Sequence, residues 1–134
     1  MKGRIAKKAL AMVAALMVLG SVAVLADASF NFFLRSDEGT FYTEQVYRSN
    51  AVTAFGRAQL QRTTNAGATT LYTIYDPWGI QMSYTHSSSN SNYKIIPLQF
   101  ISGYEGYLGA ARLGVRTNAS GSYEVWGTWS PNSL

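Results

Sequence analysis

His86 is the one histidine among 134 residues, and cysteine is absent. Those two counts remove the thiolate nucleophile, the disulfide framework and the usual zinc ligand sets together. A Ser–His–Asp relay would have to be assembled around His86, yet no Gly-x-Ser-x-Gly elbow is present. His86 opens a stretch of serines and asparagines, so it is expected to be an exposed loop histidine without a catalytic task. Paired carboxylates of the glycosidase kind would have to come from six scattered acids beyond Ala28. Two of them, Asp37 and Glu38, are neighbours in a turn, with too few oxygen ligands for a firm calcium site. Gly103-Tyr-Glu-Gly106 lacks both the lysine and the following helix of a phosphate-cradling loop. The chain therefore reads as a non-enzyme, with no catalytic residue, metal or cofactor expected.

Aromatic side chains are the better candidates for function. Trp78 sits in Asp76-Pro-Trp-Gly79, and Tyr104, Glu105 and Tyr107 follow in a second glycine-containing stretch. Rings on loops stack on sugars or bury at protein interfaces, which makes Trp78, Tyr104, Glu105 and Tyr107 the candidate ligand-binding set. The alternative is that Trp78 folds over the end of the core and the tyrosines cover neighbouring strands. Trp126 and Trp129 are three apart in an extended run, so they face opposite sides. Asn118-Ala-Ser120 matches a glycosylation acceptor but is expected to be only a turn.

Charge is unevenly distributed. The formal net charge is +4, but Lys2, Arg4, Lys7 and Lys8 all fall in the first eight residues. Beyond Ala28 stand seven basic against six acidic residues, so a nucleic-acid partner is not expected. The basic start leads into the apolar run Ala9–Leu19, then Gly20-Ser21 and small residues up to Ala28. This is the pattern of a helical export signal over residues 1–28, with a cut after Ala26 or Ala28. Its mild hydrophobicity and small-x-small sites favour removal over a permanent anchor. Membrane contact is then confined to the signal before cleavage, leaving a secreted product over residues 29–134.

All 18 aromatic residues lie from Phe30 onward, enough to core one small domain. Short aromatic and β-branched runs alternate with Gly, Ser, Asn, Asp and Pro clusters, the signature of an all-β domain. Strands are expected at 30–35, 41–48, 54–62, 69–75, 80–84, 93–100, 108–116 and 123–129. Asp76-Pro-Trp-Gly79 is the strongest turn signal, with Ile80, Met82 and Tyr84 expected on one face of the strand that leaves it. Residues 86–92 read as a polar loop, and Pro97 argues for an edge strand or a bulge. About 7–8 such strands close most readily into an antiparallel two-sheet β-sandwich, the alternative being a small β-barrel. If every connection reverses the chain, the loops at 49–53, 76–79 and 101–107 share one end. Those at 36–40, 63–68, 86–92 and 117–122 share the other.

The carboxy terminus runs Tyr123-Glu-Val-Trp-Gly-Thr-Trp-Ser-Pro-Asn-Ser-Leu134. With the export signal and the missing cysteines, it resembles a group of small, functionally uncharacterised secreted proteins of Gram-positive bacteria that end in a similar Gly-x-Trp-Ser-Pro segment. Some of that group are bacteriocin-like exported products. The resemblance implies export and small size, and it transfers no site residue. The expectation is a secreted binding or interaction module whose partner is an extracellular protein or a cell-envelope glycan. A bacteriocin-like antagonist is the second reading and a small hydrolase the third.

Overall fold

The structure, a computed structural model, describes residues 28–132. The export signal expected over residues 1–28 lies outside the described residues except for Ala28, which opens the first strand. The described residues contain no helix. Nine strands follow in order: β1 (Ala28–Arg35), β2 (Phe41–Tyr42), β3 (Val46–Arg48), β4 (Phe55–Thr63), β5 (Thr69–Tyr75), β6 (His86–Ser89), β7 (Lys94–Gln99), β8 (Gly109–Thr117) and β9 (Ser122–Ser130). They form two antiparallel sheets. One has four strands in the order β1-β9-β4-β7. The other has five, β2-β8-β5-β6, with β3 pairing farther along β8.

Period-two alternation builds the core, because successive side chains of a strand point to opposite faces. Leu34 of β1, Leu60 of β4, Leu98 of β7 and Trp129 of β9 point inward from one sheet. Tyr72 and Ile74 of β5 and Leu113 and Val115 of β8 point inward from the other. All belong to one buried cluster, an arrangement consistent with a sandwich. Phe32 stacks on Phe41 with ring centroids 5.7 Å apart, closing one side between the sheets.

Gly127 faces inward on β9 and must lack a side chain. A Cβ there would lie against the Gln59 carbonyl and 2.5 Å from the Phe30 ring. Pro97 lies on β7, an edge strand, where its missing N–H removes no ladder bond.

Three expectations need correction. The run 41–48 is split: Tyr42 pairs with Gly114 but Val46 with Ala111, so one extra residue bulges out near Glu44. At that bulge the Leu113 N–H donates to Thr43 Oγ1 at 3.0 Å instead of to backbone.

The strand expected at 80–84 is not regular. The turn forms and Gln81 bridges Tyr75, but the chain then crosses to the other sheet, where Ser83 bridges Phe100 and the Tyr84 N–H donates to the Gln99 carbonyl. Met82 and Ser83 are consequently both buried, while Ile80 and Tyr84 are exposed. Ser83 survives burial because its Oγ accepts the Ile74 N–H at 2.8 Å and donates to the Tyr84 carbonyl at 2.9 Å. Finally, His86–Ser89 is not loop but strand β6, an edge strand paired with β5.

Candidate functional site

Asp76 makes the turn that carries Trp78. Its Oδ1 accepts the N–H groups of Trp78 and Ile80, each at 2.8 Å, and its carbonyl accepts the Gly79 N–H at 3.1 Å. Gly79 holds a φ of 91°, a conformation that L side chains rarely adopt. The indole is thus presented on a tightly bonded tip, and 84% of its surface is exposed.

Strand register shows what surrounds that tip. Arg48 pairs with Gly109, Tyr75 with Arg112, and Phe55 with Gln99, so the loops after β3, β5 and β7 all emerge at one end. The expected loop grouping is therefore found at this end. At the opposite end the Asn90 N–H donates to the Ala68 carbonyl, and the Asn90 Nδ2 donates to the Asn65 carbonyl at 3.0 Å.

Arg48 ties the first end together. It is fully buried. Its Nε donates to the Pro131 carbonyl at 2.8 Å, its Nη1 to the carbonyls of Glu105 and Tyr107 at 2.7 and 2.9 Å, and its Nη2 to the Thr53 carbonyl at 2.9 Å. The guanidinium carbon also lies 4.0 Å from the Phe100 ring centroid. Burial pulls its pKa down from the ordinary arginine value, yet a guanidinium remains charged throughout the working pH range. Four carbonyl dipoles here take the place of a carboxylate.

Asn132 adds a second tie. Its Oδ1 accepts the N–H groups of Ser49 and Asn50 at 2.8 and 2.9 Å. The segment Trp129-Ser-Pro-Asn132 is thus a structural lock: Trp129 fills the core, Ser130 Oγ accepts the Asn132 N–H, and Pro131 receives Arg48.

The four candidate residues all stand at this end, but they do not present one face. Trp78 projects. Tyr104 and Tyr107 are half-buried and pack against the core. Tyr107 donates its hydroxyl to the Ala110 carbonyl at 2.9 Å; burial first, then the Asp76 carboxylate and Tyr47, push its pKa up. The Glu105 Oε1 accepts the Gly103 N–H at 2.8 Å and so closes its own loop.

The other exposed apolar side chains on the segments at this end are Tyr47, Val52, Ile80 and Leu108. Sequence reading missed them because each adjoins or lies within a strand-like run and resembles a core position. Nothing local announces which of two alternating faces meets water.

His86 is committed to a backbone contact. Its Nε2 accepts the Gln99 N–H at 2.8 Å, joining β6 to β7, and burial lowers its pKa. Asp37 pairs with Arg35 at 3.3 Å, and that bond draws its carboxyl pKa down. Among the described residues no three His, Asp or Glu side chains gather as a metal site. Compared with known proteins, the chain matches no family model and no curated sequence.

Proposed function

We propose that the protein is a secreted, non-catalytic binding module of the extracellular space or cell envelope, and that the loop end carrying Trp78 is its contact surface. The observation behind this reading is the rim of that end. Val52 and Trp78 are 85% and 84% exposed, with Tyr47, Ile80 and Leu108 also open to solvent. Several large apolar side chains gathered at one end of a small domain mark an interaction surface more often than a solvated one.

Arg48, Asn132 and Asp76 hold the loops beneath the rim through buried or short-range hydrogen bonds. A preorganised surface gives up little entropy on docking, and aromatic anchors supply much of the energy at interfaces. The basic, apolar leader supports export. The commitment of His86 Nε2 to a backbone amide supports a non-catalytic role.

The test is retention of the purified protein on isolated cell walls and on intact cells. Wild-type protein is expected to be retained, and Trp78→Ala and Val52→Ser to bind about tenfold more weakly with unchanged thermal unfolding. Equal retention of wild type and variants would refute the loop-end surface.

A further inference from the structure

We infer that the outer face of the four-stranded sheet carries a saccharide subsite centred on Trp126, separate from the loop end. Trp126 lies on β9, an inner strand, with its indole on the face away from the core. It pairs with Asn31 of β1 on one side and Arg62 of β4 on the other. The register slips at this point: Trp126 stands opposite Arg62, but Gly127 stands opposite Leu60. Gln61 is therefore the extra residue of a bulge, and bulges re-aim side chains beside binding sites. A shallow open cleft of about 360 Å³ results, lined by Ser29, Phe30, Asn31, Gln61, Trp126 and Gly127.

The chemistry of that lining selects its occupant. Asn31 and Gln61 each offer a donor and an acceptor, and Ser29 adds a hydroxyl that is both. No carboxylate lines the cleft. Sugar hydroxyls are themselves donors and acceptors, so these amides can both give and accept hydrogen bonds with them. The indole supplies a flat apolar surface for the axial C–H groups of a pyranose ring. A neutral hexose or N-acetylhexosamine unit satisfies both features. The volume lies near the lower end of small-ligand pockets and suits a short stretch of glycan. The guanidinium of Arg62 stands 4.2 Å from the indole centroid on an exposed side chain, so a sugar that stacks on that face has to displace it into solvent.

The three tryptophans give the test its readout, because each indole N–H reports separately in an NMR titration of the nitrogen-labelled protein. Cellohexaose and chitohexaose are the probes. At least one is expected to shift the Trp126 signal saturably, leaving the signals of buried Trp129 and loop-end Trp78 in place. Asn31→Ala and Gln61→Ala are each expected to weaken that binding about tenfold without altering thermal unfolding. Trp126→Ala is expected to abolish it. No shift of Trp126 up to about 10 mM of either sugar would overturn the subsite. Movement of Trp78 alone would overturn it too while moving saccharide binding to the loop end, and undiminished affinity in both amide variants would do the same to the chemistry assigned here.

Discussion

Arg48 and Pro131 are 83 positions apart in the chain and 2.8 Å apart in the fold, joined by an Nε–H donated to a buried carbonyl. The same guanidinium reaches three more carbonyls, from the loops after β3 and β7. One cation thereby fastens the carboxy-terminal segment beneath two loops of the proposed contact surface.

Removing that cation leaves four carbonyls, one of them fully buried, without their donor and opens a void beside Phe100. Arg48→Ala is expected to cost about 3 kcal/mol or more in urea unfolding. Arg48→Lys should recover only part of this, since an ammonium lacks the planar fork that reaches four carbonyls. A midpoint for Arg48→Ala indistinguishable from wild type would show that the carbonyls find other partners.

Asn132→Ala removes the acceptor of two backbone N–H groups at 49–50. A loss of about 1–2 kcal/mol is expected, together with faster amide exchange at Ser49 and Asn50. Exchange that quickens evenly over the whole domain would point to global destabilisation in place of a local tie.

Glycine positions give a sharp contrast. Gly127→Ala drives a methyl group into the Gln59 carbonyl and the Phe30 ring, and is expected to destabilise by about 2–3 kcal/mol. Gly106 has open space where a Cβ would stand, and Gly106→Ala should stay within about 0.5 kcal/mol of wild type. Equal effects at the two positions would contradict the packing described for β9.

Acid should weaken the protein through His86. Burial depresses its folded-state pKa, so the unfolded chain binds the proton more readily. Where the unfolded state holds more protons, stability rises with pH. The His86 contribution is whole above the unfolded value, near ~6.5, and declines as pH falls through it toward the folded value. Asp37, whose carboxyl is drawn down by Arg35, titrates in a more acid range. Urea midpoints at about pH 7.5 and 5.5 are expected to differ for wild type and to converge for His86→Gln. The same difference in both proteins would assign the effect to another group.

Much of the architecture was legible because it is written locally. Phe30, Phe32 and Leu34 alternate with Asn31, Phe33 and Arg35, and β1 buries the first set more deeply than the second. Asp76-Pro-Trp-Gly79 makes its turn from its own backbone and side chain, so residue types alone announced it. Pro97 pointed to an edge or a bulge, where a missing donor is tolerated, and the structure shows an edge. Met82 and Ser83 were not legible. They are buried together because the chain crosses between sheets at that point, and no periodicity encodes a crossing. His86–Ser89 looked like loop because serine is a weak strand former, yet the exposed edge of β5 supplied a ladder for it to join.

The sequence by itself determined that the described part would be extended strands around an apolar core, since period-two alternation and turn chemistry act over a few residues. Tertiary structure decided which exposed rings share a surface, that Arg48 is a buried tie, and that Trp126 has Asn31, Gln61 and Arg62 for neighbours. Those relations join residues tens of positions apart. They depend on strand order and register, which are set by the packing of the whole core.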